Sequence, residues 1–374
     1  MTTGALDWAT WTAHQITAIH AAGQWRQPRA FDAQGPHGRV DGRTVVSFAS
    51  NDYLGLSQHP AVIAAAHDAL DRWGTGSGAS RLVVGSRPVH HELEAALAGW
   101  KHCERAVVFP TGFAANLGVL STLAGPDVTI LSDELNHASI IDGCRLSKAP
   151  LRVYLHNDLD HLAALLSEVS GRCIVVTDSV FSMDGDAADL EPLIAITADA
   201  GALLILDEAH AVFGPDLTSS TPQHVVRVGT LSKTLGSLGG FVAANAPIVD
   251  LLINKARTYI FTTATSPADA AAALAALGIC HSTEGDERRR HLRTLVDILR
   301  PGHASPIVPI ILGAEAAALN AAAELLAHGM WVPAIRPPTV APGTSRLRIA
   351  LSADHTVAEV NGLAQEIARI TASP

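Results

Sequence analysis

The chain has 374 residues, room for two domains or for one large domain with an appendage. A content of 48% hydrophobic and 17% charged residues excludes a disordered protein, and 30 Gly with 20 Pro exclude a collagen-like or low-complexity chain. With 26 basic against 36 acidic residues, a net charge of −10 argues against a general nucleic-acid or anionic-membrane binder.

No apolar run approaches the roughly 18 residues of a membrane span. Cys103, Cys144, Cys173 and Cys280 stand far apart and contain no Cys-x-x-Cys, so neither a zinc ribbon nor a disulfide scaffold is indicated. A reducing cytoplasm is the expected location. The first twenty residues carry acid, Trp and His where a signal peptide needs a basic start and an apolar run.

In chain order, residues 1–46 read as an amphipathic helix followed by an irregular arm rich in Gly, Pro and Arg. Residues 44–48 form a short strand by β-branched content. Apolar runs then recur at 106–109, 128–131, 151–155, 173–177, 202–206, 224–230 and 240–244. Helical patterns at 91–100, 114–123 and 159–169 separate them. Short apolar runs alternating with helices predict an α/β fold with a mostly parallel central sheet covered on both faces. After Pro267 come an Ala-rich helix over 268–277, a charged helix over 284–299, a strand over 306–312 and a helix over 314–328 capped by Gly329. A strand over 346–351 and a helix from Val357 complete a smaller C-terminal α+β unit. The expected organisation is an arm over 1–46, a large domain over 47–277 and a small domain over 278–374.

Ligands bind beyond the carboxyl ends of such strands. There, Leu206-Asp207-Glu208-Ala209-His210 ends a strand in two acids. One reading is the carboxylate of a nucleotide-hydrolysing motor, which requires a Gly-x-x-x-x-Gly-Lys-Ser/Thr loop that this chain lacks. Another is a carboxylate facing the ring nitrogen of pyridoxal phosphate (PLP). Its charge favours the protonated ring, which is the better electron sink. His210 would then reach the cofactor's phenolic oxygen. An Asp at a strand end also reads as a helix cap.

Thr230-Leu231-Ser232-Lys233 follows the next strand, 26 residues beyond Asp207. Lys233 is a candidate Schiff-base nucleophile. Gly236, Gly239 and Gly240 allow a bulky cofactor to approach the backbone. The Ser-x-x-Lys spacing of a Ser-Lys hydrolase is missing here. Thr111-Gly112-Phe113-Ala114-Ala115-Asn116 lies where a strand gives way to a helix, whose first amides can hold phosphate beside the hydroxyls of Thr230 and Ser232. The glycine-dense stretch 74–80 does not fit Gly-x-Gly-x-x-Gly. His137, beyond the 128–131 strand, could stack on a pyridine ring or be an ordinary satisfied histidine. The 18 histidines show no metal-ligand spacing.

Asn51-Asp52-Tyr53-Leu54-Gly55-Leu56, Gly76-Ser77-Gly78-Ala79-Ser80-Arg81, Asp178-Ser179-Val180-Phe181-Ser182-Met183-Asp184-Gly185-Asp186, Leu206-Asp207-Glu208-Ala209-His210 and Gly229-Thr230-Leu231-Ser232-Lys233 occur in that order. With them the chain, from Asn51 to Leu351, resembles the α-oxoamine synthases. These are PLP enzymes of the aspartate-aminotransferase fold, also called fold type I. The resemblance makes Lys233 the lysine that bonds the cofactor and Asp207 the partner of its ring nitrogen. It places His210 and Ser182 on the phenolic oxygen, His137 on the ring, Gly112 and Phe113 beside the cofactor, and Thr230 near its phosphate. Thr262 and Thr263 resemble the pair that reaches the neighbouring subunit's phosphate, which implies a homodimer with shared sites.

Ala334-Ile335-Arg336-Pro337-Pro338-Thr339-Val340 resembles the members that join L-alanine to pimeloyl-CoA in biotin synthesis. On that likeness Arg336 clamps a substrate carboxylate, Thr339 faces the substrate and Arg26 matches an acyl contact. The catalytic set is Lys233, His137 and Asp207, with no metal. Residues 211–226 are shorter than the family's usual loop, with Ala211 where Gly is typical. Two alternatives stay open. One is a relative using glycine or serine with another acyl-CoA, such as a 2-amino-3-oxobutyrate CoA ligase. The other is a PLP-binding homologue without turnover.

Overall fold

The computed structural model describes residues 7–217 and 220–372. Residues 1–6 of the expected arm, 373–374 of the expected small domain and 218–219 of the shortened loop lie outside the described residues. The first element is helix α1 (Trp8–Ala21), begun by Asp7, whose carboxylate accepts the Thr10 N–H at 2.8 Å. The sequence predicts an amphipathic helix there, but α1 buries no residue, and Trp8 is 77% exposed.

The arm that follows is not irregular. It is a meander of β1 (Phe31–Gln34), β2 (His37–Val40) and β3 (Arg43–Ser47). Asp41 and Gly42, at φ 49° and 78°, form the two-residue loop between β2 and β3. This Asp-Gly pair, both residues left-handed, matches the twist of the strands it joins and was the available signal for a hairpin.

The larger sheet is built from the alternation seen in the sequence. Helices α2 (Pro60–Trp73) and α3 (Pro88–Trp100), each opened by proline in its first turn, precede β4 (Arg105–Phe109) and α4 (Gly112–Leu123). Then come β5 (Val128–Asp133), α5 (Ala138–Ser147), β6 (Leu151–Tyr154), α6 (Leu159–Glu168), β7 (Arg172–Asp178), α7 (Leu190–Asp199) and β8 (Leu203–Asp207). β9 (Val225–Thr230), β10 (Gly240–Ala244), α8 (Ala246–Lys255), α9 (Arg257–Ile260), α10 (Pro267–Cys280) and α11 (Thr283–Leu299) follow.

The seven strands lie in the order β4-β10-β9-β8-β7-β5-β6. β10 runs antiparallel to both of its neighbours, and the pairs from β9 through β6 are parallel. Successive side chains face opposite sides of a strand. Ile174 and Val176 of β7 and Ile205 of β8 enter one core with Phe109 and Val119. Cys173 and Val175 of β7, with Leu204 and Leu206 of β8, enter the other with Leu162 and Leu193. Two buried faces explain the continuous apolar runs, each fully buried Leu or Ile contributing roughly 1.5–3 kcal/mol. The strand order reverses between β5 and β7, so a crevice is expected beyond their carboxyl ends.

The chain continues with β11 (Ile307–Gly313), α12 (Glu315–Ala327), β12 (Met330–Trp331), β13 (Ala334–Ile335), β14 (Ser345–Ala350) and α13 (Val357–Ala372). β12 pairs with β3 in a four-stranded sheet, and β11-β14-β13 form a three-stranded one. Gly329, at φ 78°, ends α12 as the sequence predicts.

The chain divides into one compact unit of Ser50–Val308 with Ala350–Thr371, and a second of the chain before Ser50 with Pro309–Ile349. The division therefore falls at residues 308/309 and 349/350 rather than near 277. α10 stays with the larger unit because its alanine stripe, Ala270, Ala273 and Ala276 at 0% exposure, allows close packing on α2 and α3. Among the described residues, no helix is long and apolar enough to cross a membrane, and no cluster of His, Cys, Asp and Glu could hold a metal ion.

Candidate active site

The larger unit gathers most of the expected residues at the strand ends. Thr111 caps α4 by accepting the Ala114 N–H at 3.0 Å, which leaves the amides of Gly112 and Phe113 in the open first turn. A Cβ on Gly112 would stand 3.3 Å from that of Thr230, and one on Gly240 would collide with the Thr111–Gly112 peptide. These glycines let the start of α4 sit against the end of β9. The Thr230 hydroxyl lies 2.8 Å from that of Ser232 and donates to the Gly239 carbonyl at 3.0 Å. Helix amides and two hydroxyls therefore share one rim, an arrangement suited to phosphate.

Beside it, Asp178 and Asp207 are register partners at the ends of β7 and β8. Asp207 Oδ1 accepts the Ala209 N–H at 2.9 Å, and Oδ2 accepts Asn116 Nδ2 at 2.6 Å. The second hydrogen of that amide goes to Ser139 Oγ at 2.9 Å, while Asn116 Oδ1 is buried without a partner. His137 caps α5, its Nδ1 accepting the Ser139 N–H at 3.2 Å with the Ser139 hydroxyl at 2.7 Å. Nδ1 is thus the acceptor, and neutral His137 carries its proton on Nε2. Burial pushes the imidazole below its ordinary range; Asp207 opposes this and the Lys233 charge adds to it. The His137 N–H donates to Asp178 Oδ2 at 2.8 Å. Burial, then the neighbouring Asp207, raises the Asp178 carboxyl well above the usual carboxylate range.

Lys233 occupies the tight loop between β9 and β10, where Gly236 donates to the Lys233 carbonyl and Leu231 to that of Gly239, both at 2.9 Å. Its Nζ lies 2.9 Å from His210 Nε2. His210 Nδ1 lies 2.6 Å from the Tyr53 hydroxyl. Glu208, the second acid of the strand end, is fully committed elsewhere. Arg227 donates to its Oε1 at 2.8 and 2.6 Å, and Lys101 Nζ lies 2.9 Å from its Oε2. Asp216 also pairs with Arg227. Glu208 therefore braces β8 against β9, which removes it as a nucleotide-motor carboxylate.

Ser182 lies in the turn enclosed by the Val180–Ala187 bridge. His156 staples this turn to β5, with Nδ1 3.0 Å from Asp133 and Nε2 2.7 Å from Asp186. Burial alone would lower its pKa, but the hydrogen bonds and charges of Asp133 and Asp186 win and raise it to about 10. A raised folded-state value means stability that is present below the unfolded value of roughly 6.5 and lost as pH climbs toward the folded one. Urea unfolding of the wild type and His156→Gln should therefore differ most at about pH 6 and converge toward pH 10. A gap that widened with pH would refute this.

Thr262 follows α9 and lines a cleft with Pro110, Thr111, Ala114 and Phe261 of the same chain; Thr263 is exposed. Arg26, Arg336 and Thr339 belong to the smaller unit. Arg336 Nη1 donates to the Gly23 carbonyl at 2.5 Å, which brings its segment to the stretch before the exposed Arg26, and Thr339 N–H donates to the Arg336 carbonyl at 3.0 Å.

Sequence reasoning missed Asn116, Ser139, Asp178 and Tyr53. Each stands inside or beside a motif already singled out. Those motifs were read for their glycines, hydroxyls and strand ends rather than for these side chains.

The family described as aminotransferase class I and II matches residues 43–367. The chain is 48% identical over 355 aligned positions to the 8-amino-7-oxononanoate synthase of Bordetella petrii, covering 89% of this chain and 90% of that protein. It is 47% identical over 390 aligned positions to that of Anaeromyxobacter dehalogenans, covering 99% and 97%. Among solved structures, Sphingomonas wittichii serine palmitoyltransferase superposes with a TM-score of 0.88 at 32% identity, covering 98% of both chains. A structure of SPT with PLP gives 0.91 at 29% identity, covering 98% of this chain and 99% of that one. The 8-amino-7-oxononanoate synthase from Francisella tularensis gives 0.75 at 28%, covering 88% and 98%.

Proposed function

The chain belongs to the aminotransferase class I and II family and, within it, to the 8-amino-7-oxononanoate synthases, and on that premise we propose the reaction and the residues that carry it. It is a PLP-dependent acyltransferase of biotin biosynthesis. L-alanine and pimeloyl-CoA give 8-amino-7-oxononanoate, CoA and CO2. The alanine Cα bonds to the thioester carbonyl carbon, the C–S bond breaks and CoA leaves as the thiol. The Cα–carboxylate bond then breaks to release CO2, and a proton returns to Cα.

The residues fit PLP. A rim of α4 amides with Thr230 and Ser232 suits its phosphate, packed so closely that a Cβ on Gly240 has no room. Asp207 is a buried carboxylate held in place by Asn116 and Ala209. Beside it the Asn116 Oδ1 is buried without a partner. When bound, PLP supplies the electron sink for the pair left on the alanine Cα.

Lys233 is the amine that would hold the cofactor, and its free amine is the base that takes the alanine Cα proton. Asp207 would pair with the ring nitrogen. Gly112, Phe113 and Thr230 would hold the phosphate end, while His210 and Ser182 would meet the phenolic oxygen. His137, neutral with its proton on Nε2, covers the ring and can donate a hydrogen bond to the thioester oxygen as charge develops there. Arg336 clamps a substrate carboxylate with its forked donors, with Thr339 and Arg26 on the acyl path. Thr262 and Thr263 serve the partner's phosphate site in a homodimer, and the enzyme works in the cytoplasm.

The observation that carries the substrate choice is the 47–48% identity to two synthases over 89–99% of this chain. Thiol release by the PLP-loaded protein tests it, with L-alanine, glycine or serine against pimeloyl-, acetyl- or palmitoyl-CoA. Fast release is expected only for alanine with pimeloyl-CoA. Preference for serine with palmitoyl-CoA would reassign the substrate, and no release with any pair would overturn the enzyme reading.

A further inference from the structure

The motif over residues 51–56 has no part in the reaction as described above, yet the larger unit builds it with unusual care. The Asp52 carboxylate accepts the N–H groups of Leu56 and Ser57, each at 3.0 Å, closing the 3-10 turn Leu56–Gln58. Ser352 Oγ donates to the Asp52 carbonyl at 2.7 Å, Ala353 N–H to that of Tyr53 at 2.8 Å, and Arg288 Nη1 to that of Leu54 at 2.9 Å. Gly55 has φ 67°, and a Cβ there would collide with the Asp354 carboxylate. Three successive carbonyls are thus pinned to other segments, so the loop has little freedom.

That clamp holds one functional group in place. Tyr53 is fully buried, and its hydroxyl lies 2.6 Å from His210 Nδ1 and 3.2 Å from Asn51 Oδ1. The other ring nitrogen of His210 lies 2.9 Å from Lys233 Nζ. The same loop also braces the lysine's own loop, because a Cβ on Gly236 would collide with the Ser57 backbone.

A phenol has one hydrogen, and Tyr53 donates it to Asn51 Oδ1, an atom that can only accept. Its oxygen therefore accepts from His210 Nδ1–H, which leaves the Nε2 lone pair facing the lysine amine. A lone pair facing Nζ accepts one of the amine's hydrogens and so fixes where the lysine nitrogen points. We infer that Tyr53 is a positioning residue for Lys233, acting through His210 by fixing both its ring orientation and its tautomer. The inference rests on the reading that Lys233 bonds the cofactor.

The test follows capture of PLP by the apoenzyme through its visible absorbance. Tyr53→Phe keeps the ring and removes the hydroxyl, and should slow capture by about tenfold, the scale of one buried hydrogen bond to a reactive group. His210→Gln should slow it similarly, and the double variant should be no slower than His210→Gln alone. Capture by Tyr53→Phe at the wild-type rate, or additive losses, would overturn the inference.

A second measurement needs no Tyr53 variant. Selective 15N-histidine spectra of the wild-type apoenzyme, with His210 identified by its loss in His210→Gln, should show the proton on Nδ1. A proton on Nε2 would refute the tautomer. Lys233→Ala separates the two levels. If that variant forms the wild-type absorbance band, the reading of the site fails. If only Tyr53→Phe behaves as wild type, this inference alone fails.

Discussion

Lys233→Ala should abolish thiol release, with a loss of about 10⁴-fold or more, because it removes a covalent partner and a proton carrier at once. Lys233→Arg should fail to a similar degree. Guanidinium keeps the positive charge near His137 and Asp178 but is never a free nucleophile at working pH. The pair of variants therefore separates chemistry from electrostatics. Fold loss is not the expected cause, since the loop is held by backbone bonds from Leu231, Gly236 and Ser237 rather than by the lysine side chain. Thermal melts of both variants should stay near wild type. Normal turnover in either variant would end the assignment of Lys233.

Asp207→Ala should lower turnover by roughly 10- to 1000-fold, the range expected when an opposite charge worth about one to three pKa units is withdrawn from the ring nitrogen. PLP should still be captured, because Lys233 remains. The variant also leaves the Asn116 amide and the Ala209 N–H without their acceptor, at a cost to stability of roughly 1–3 kcal/mol. Asp207→Asn keeps the shape but turns one acceptor into a donor, so one of those two groups would face another N–H. Its melt should fall less than that of the alanine variant while its turnover stays low. Full activity in Asp207→Asn would mean that the ring nitrogen needs no negative partner here.

Local signals were strong wherever one segment carried its own reason. β7 and β8 are legible because both faces of each are buried, which leaves an unbroken apolar run in the chain. Asp207 and Lys233 stand at the ends of such runs, so sheet topology alone places them at the crevice. The hairpin of β2 and β3 was legible too through Asp41-Gly42, but a stretch rich in Gly, Pro and Arg masked its short strands.

From the chain of residues alone follow the sheet, its order of motifs, the acid and the amine, and the family likeness. Each of these is written in a contiguous stretch whose period or end residue has a direct physical cause. Partnerships across the chain are not written that way. Asn116 meets Asp207 from 91 residues away, and Tyr53 meets His210 from 157. A short-range pattern carries no information about such distances, because closure of the sheet and its helices sets them. The same holds for the units. An alanine stripe on α10 reads as an ordinary helix face until α2 and α3 are laid against it, and only then does it join the larger unit.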